Sequence, residues 1–109
     1  TGKATREFLF VDDLAEACIF LLDNFSDHVP INIGSGKEIS ILNLTKLICE
    51  IVGFNGELVF DNSKPDGTPR KVLDIAKIND LGWFAKTELK SGLSISFDWF
   101  KENYKTLRK

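Results

Sequence analysis

The sequence predicts a small α+β domain of about four helices with short strands between them. Two observations lead there. Apolar residues recur at helical spacing in several separate segments, each opened by a Ser, Thr or Asp and some closed by Gly. The β-favouring runs are few and no longer than about five residues, which is too little for an independent parallel sheet and excludes a complete doubly wound fold. A chain of 109 residues is one domain at most, with a modest core.

Taken in order, Glu7-Phe8-Leu9-Phe10-Val11 reads as a buried strand or extended segment. Asp12-Asp13 then opens the first helix, one aspartate capping free N–H groups and both favouring the positive end of the dipole. Leu14, Cys18, Leu21, Leu22 and Phe25 form its apolar face. After the loop 24–30, Ile31-Asn32-Ile33 is a short strand ending in Gly34-Ser35-Gly36. That Gly-x-Gly has no third glycine at the spacing a dinucleotide fingerprint requires, so a tight turn close to a neighbour or ligand explains it better. Glu38-Ile39 adds a short strand and Ser40 caps a second helix, with Ile41, Leu44, Ile48 and Ile51 inward and Gly53 at its end. A third strand is expected over Glu57–Phe60. Val72-Leu73 is a brief extended piece, Asp74 caps a short helix closing at Gly82, and Trp83-Phe84 are large apolar anchors. Thr87 caps the last helix, whose face runs Leu89, Leu93, Phe97, Phe100, Tyr104 and Leu107. Gly92 there points to close packing, and Lys101, Lys105, Arg108 and Lys109 crowd the negative end of its dipole.

A net charge of −2 argues against a general nucleic-acid binder, which needs a basic field. No apolar run reaches the length of a membrane span and no signal-peptide pattern opens the chain, so a cytoplasmic protein is expected. Cys18 and Cys49 lie beside apolar neighbours in helices and read as reduced packing residues. The chain contains no Met, which leads us to expect a fragment or excised domain that something precedes.

The chemistry concentrates in Lys64-Pro-Asp-Gly-Thr-Pro-Arg-Lys71. Pro65 and Pro69 each fix one φ angle and Gly67 is free to take φ > 0, so this is a loop of defined shape. It presents Lys64, Arg70 and Lys71 with Asp66 as its only acid. A stiff loop of cations and free N–H groups suits a phosphate or diphosphate. A solvated basic turn is the plainer alternative.

Several segments, Arg6-Glu-Phe-Leu-Phe-Val-Asp-Asp-Leu-Ala15, Asn32-Ile-Gly-Ser-Gly36 and Asp80-Leu-Gly-Trp83, resemble the C-terminal, substrate-binding part of the extended short-chain dehydrogenase/reductases. Ser63-Lys-Pro-Asp-Gly-Thr-Pro-Arg-Lys71, followed by Leu73-Asp74, resembles the NADP-dependent epimerase/reductases of that superfamily that act on a GDP-4-keto-6-deoxy sugar. The resemblance covers nearly the whole chain in order and spacing. It implies that residues 1–109 are a C-terminal substrate-binding domain lacking the Rossmann sheet, inactive alone. It also implies that NADP(H) and the catalytic groups belong to an absent N-terminal Rossmann domain, and that the complete protein is a homodimer.

By the same resemblance, Arg6 reaches the diphosphate of the GDP-sugar and Lys71 is a second substrate contact. Arg70, Asp66 and Lys64 are further substrate-binding candidates that equally brace the loop. Glu57, at the edge of its expected strand, is another. Phe10 stands where these sequences usually carry His, and Phe84-Ala85 replaces a pattern with proline after Gly-Trp. There is no Gly-x-Gly-x-x-Gly and no Tyr-x-x-x-Lys; Tyr104 is followed four positions on by Arg108. The alternatives are the same lobe of another nucleotide-sugar epimerase or dehydratase, or a non-catalytic nucleotide-sugar-binding module.

Overall fold

The computed structural model describes residues 1–107. A three-stranded sheet holds β1 (Thr5–Glu7) between β2 (Glu38–Ser40) and β3 (Arg70–Lys71). β2 runs antiparallel to β1 and β3 runs parallel to it. Four α-helices complete the described fold: α1 (Val11–Asn24), α2 (Ile41–Val52), α3 (Ala76–Leu81) and α4 (Leu89–Asn103), the last followed by a 3₁₀ turn over Tyr104–Thr106. The small α+β class expected from the sequence is the class observed. Arg108 and Lys109, expected at the basic end of the last helix, lie outside the described residues.

The N-terminal arm anchors α2. The Gly2 carbonyl accepts from Leu42 N and the Ala4 carbonyl from Ile41 N, satisfying N–H groups at the start of α2. Ser40 adds the side-chain cap foreseen for it, accepting from Asn43 N at 3.1 Å. At the other end the chain turns out of α2 through Gly53. Asp74 accepts from Ala76 N at 3.0 Å, so it does supply an acceptor at the start of α3, although the helix proper begins after Ile75.

The core is small. Ala17, Ile78 and Trp83 are buried together, with Leu9, Phe20, Leu21, Ile31, Ile33, Ile75 and Ala85 packed around them. Trp83 is thus the anchor expected of it, whereas Phe84 is 62% exposed.

Several elements differ from expectation. The first strand is Thr5–Glu7 rather than residues 7–11, because Leu9 and Phe10 leave the sheet for packing. Leu9 joins the core, and the Phe10 ring lies against α4, where a Cβ on Gly92 would meet it at 3.2 Å. That contact is the close packing read from Gly92.

Ile31–Ile33 and Glu57–Phe60 form no strand. Their apolar side chains find partners without a ladder: Ile31 and Ile33 in the core, and Phe60 against the Gly2 backbone. The extended pair that does join the sheet is Arg70-Lys71, two residues before the expected Val72-Leu73.

Helix α1 is rotated from the expected face. Asp13 and Ala17 are its buried residues, while Leu14 is 41% and Leu22 80% exposed and Cys18 is exposed. The reason is Asp13, whose carboxylate accepts from Lys86 N (3.2 Å), Thr87 N (2.8 Å) and Thr87 Oγ1 (2.9 Å). These bonds turn Asp13 inward and carry Ala17, four residues on, with it. Asp13 therefore does not cap its own helix, and Thr87 does not cap α4, which begins after Glu88. The face expected of α4 holds through Leu89, Leu93 and Phe97, and lapses at Phe100 and Tyr104, each 49% exposed.

Candidate functional site

Sheet pleating decides which candidate residues share a surface. Alternate residues of a strand point to opposite faces, and register partners on adjacent strands point to the same one. Arg6 is the partner of Lys71 on β3 and of Ile39 on β2. One face therefore carries the row Ile39, Arg6, Lys71. The opposite face carries Thr5 with Ser40 and Arg70, and Glu7 with Glu38.

The two cations expected to bind substrate, 65 positions apart in sequence, are thus side by side. Among the described residues neither forms an ion pair. Arg6 spends one guanidinium donor on its neighbour, Nη1 to the Thr5 carbonyl at 2.7 Å, which leaves the rest of its fork for a ligand. Lys71 is exposed. Like charges on directly paired strand positions repel, and an anion between them relieves that repulsion. A cleft of about 250 Å³ lies at the Ile39 end of this row, lined by Phe8, Ile39 and Thr87 with the charged Lys37, Glu38, Lys86 and Glu88, and neither Arg6 nor Lys71 lines it.

The loop frame is built as its residues dictate. Pro69 offers its carbonyl to Thr5 N at 2.9 Å, which starts the parallel pairing. Gly67 takes φ +75°, a conformation other residues reach only at a cost.

The other candidates are occupied elsewhere. Arg70 points to the opposite face and donates Nε to Glu38 at 2.6 Å, so its role is to brace β3 against β2 across β1. Asp66 accepts from the Thr1 hydroxyl. It therefore ties the loop to the N-terminal arm. Lys64 is exposed, with its backbone N–H bonded to the Asp61 carbonyl. Glu57 is exposed on an irregular segment between α2 and β3, not on a strand edge.

Sequence reasoning missed two carboxylates. Glu38 neutralises Arg70, and its only advance signal was the strand alternation. Glu7 accepts from Gly36 N at 2.6 Å and from Leu73 N at 3.2 Å. With that Gly36 N–H taken by a carboxylate, and with β2 rather than a helix following, the Gly34–Gly36 turn does not fit a dinucleotide diphosphate.

No helix among the described residues is long and apolar enough to cross a membrane. Residues 1–34 match the NAD dependent epimerase/dehydratase family. GDP-L-fucose synthase 1 of Arabidopsis thaliana is 53% identical over 103 residues, which span 94% of this chain and 32% of that protein. A GDP-L-fucose synthetase from Naegleria fowleri superposes with a TM-score of 0.91 at 33% identity, covering 100% of this chain and 35% of that one. A GDP-mannoheptose C4 reductase from Campylobacter jejuni with NADP bound gives 0.79 at 43% identity, covering 93% and 33%. The chain spans about a third of the length of these relatives. Along nearly all of its own length this chain is similar to GDP-L-fucose synthase, and its fold is that of the matching third of the Naegleria fowleri GDP-L-fucose synthetase.

Proposed function

We propose that residues 1–109 are the substrate-recognition domain of an NADP-dependent GDP-L-fucose synthase. In this reading the chain recognises GDP-4-keto-6-deoxy-mannose through its diphosphate, held between Arg6 and Lys71. The observation that carries the proposal is their register pairing on one sheet face with no carboxylate partner among the described residues. Guanidinium and ammonium act differently on the diphosphate, since the fork fixes geometry and the ammonium adds a mobile charge. Arg70, Asp66 and Lys64 keep the loop in shape, and Glu57 has no place in the grip.

An N-terminal Rossmann domain supplies NADP(H) and the acid–base groups in this proposal, in a cytoplasmic homodimer. Surface area supports the missing domain. A folded monomer of 12.3 kDa exposes about 6,100 Å², against 8,292 Å² here. Apolar side chains contribute to the exposed surface: Val11, Ile19 and Leu22 of α1 and Ile95 and Trp99 of α4 are all more than half exposed. Val11, Ile95 and Trp99 line one continuous hollow of about 340 Å³. Exposed apolar side chains gathered on one face support a partner there.

The test is kinetic, in the full-length protein. The diphosphate keeps its charge through epimerisation and reduction, so its contacts stabilise ground and transition states alike and act on KM. Arg6→Ala and Lys71→Ala each raise KM roughly ten- to a hundredfold, the equivalent of one charge-assisted hydrogen bond, with kcat little changed. Arg6→Lys recovers only part, lacking the fork. Unchanged KM in both alanine variants returns the loop to a solvated basic turn.

A further inference from the structure

The Gly34-Ser35-Gly36 turn and Glu7 are the two features that the diphosphate grip leaves unused, and they meet. Glu7 occupies the last position of β1, immediately after Arg6. Its Oε2 accepts from Gly36 N at 2.6 Å and its Oε1 from Leu73 N at 3.2 Å. One carboxylate thus joins two segments that the Asn32 amide, donating to the Asp74 carbonyl at 3.2 Å, also links. One is the turn before β2, and the other is the stretch just beyond Lys71.

Gly34 is buried directly against this group. A Cβ at Gly34 would sit 2.8 Å from Glu7 Oε1 and 2.9 Å from Oε2. The glycine is required there by the carboxylate, not by a ligand.

We infer that Glu7 is a positioning residue for substrate binding: its carboxylate pins the Leu73 backbone and so keeps Lys71 in register beside Arg6. The inference rests on the diphosphate grip proposed above. β3 is only two residues long and lies at the sheet edge, and so short a ladder does not hold its own register firmly. Further ties flank it, among them the Thr5 N–Pro69 carbonyl bond before it and the Asn32 amide bonded to the Asp74 carbonyl after it. At its N-terminal end the Arg70–Glu38 ion pair is more than half exposed on the arginine side, where such pairs contribute little. At its C-terminal end the Leu73 bond to Glu7 is charge-assisted and the stronger kind.

Substitution separates this role from simple stability. Gln at position 7 keeps the volume but has one oxygen, so only one of the two N–H groups keeps its acceptor while the other faces an NH₂. Ala at position 34 approaches the problem from the far side. Its methyl meets only the movable end of Glu7, so the fold survives while the carboxylate is displaced.

The experiment is a double-mutant cycle in the full-length protein, with GDP as probe and calorimetric titration as readout. Lys71→Ala alone weakens GDP binding by tenfold or more, roughly one charged hydrogen bond. Glu7→Gln and Gly34→Ala each weaken it by about five- to tenfold when Lys71 is present, a partial loss of that same contact. Each changes it less than about twofold in the Lys71→Ala background, because the residue they position is gone. A merely structural Glu7 gives the same loss in both backgrounds, and that result overturns the inference. So does wild-type affinity in Glu7→Gln while Lys71→Ala is weakened, which leaves the grip standing. If Lys71→Ala binds GDP as wild type does, the grip itself is wrong and the inference falls with it.

Discussion

Asp13 shows how much one side chain decides in this chain. It is 1% exposed, yet every bond it accepts comes from Lys86 and Thr87, more than seventy positions away. Paired aspartates at a helix start read naturally as caps, because capping is a local interaction and visible in sequence. A carboxylate that reaches across to another segment has no local signal, and so the sequence points to the wrong face of α1. The same applies to Glu7 and Glu38, whose partners are set by sheet register. Removing the Asp13 carboxylate leaves buried N–H donors without an acceptor. Asp13→Ala should destabilise the protein by about 2–4 kcal/mol, and Asp13→Asn by less, since one oxygen remains. Denaturant midpoints measure this, and a loss under about 1 kcal/mol for Asp13→Ala contradicts the bridging role.

Elements with intrinsic start and stop signals were legible: α2 between Ser40 and Gly53, and α3 closing at Gly82. Strands were not. Glu57–Phe60 has the right residue types but no free ladder to join, whereas Arg70-Lys71 joins one despite its polarity because Pro69 delivers its carbonyl to Thr5. Strand membership is a property of neighbours more than of residues. The α4 contact with the Phe10 segment allows a graded check. At Gly92 a methyl would meet the Phe10 ring and Cβ at 3.2–3.4 Å, a contact that offsets the roughly 1 kcal/mol an alanine gains in helix propensity. Gly92→Ala should therefore fall within about 1 kcal/mol of wild type, while Gly92→Val overpacks and costs about 1–3 kcal/mol more. Equal stability of the two variants would mean that α4 stands off from Phe10.

At the scale of the molecule, the chain is extended for its length. Its radius of gyration is 16.6 Å, where about 13 Å is usual for this many residues. Cys18, expected to be a buried packing residue of α1, is a free thiol but exposed, on the same uncovered side as Leu14 and Leu22. That makes Cys18 a reporter for the proposed Rossmann domain. A bulky thiol reagent should label Cys18 rapidly in the isolated chain and much more slowly in the full-length protein, because the apolar face is then covered. Equal rates would show that this side of α1 stays open and that the excess surface has another cause. The proposed substrate grip was suggested by resemblance to known sequences, while the placement of its residues was not. Only the parallel pairing of β1 with β3 brings residue 6 to residue 71, and it turns Arg70 away from the face that its neighbour Lys71 shares with Arg6.

A crystal structure of the full-length protein with its GDP-sugar tests that geometry directly. The account predicts diphosphate oxygens lying between the two side chains, with the Arg6 guanidinium and the Lys71 ammonium each within about 2.7–3.2 Å of them. Arg70 should remain on Glu38, on the other face of the sheet. A diphosphate bound elsewhere, with Arg6 and Lys71 both directed to solvent, would contradict it.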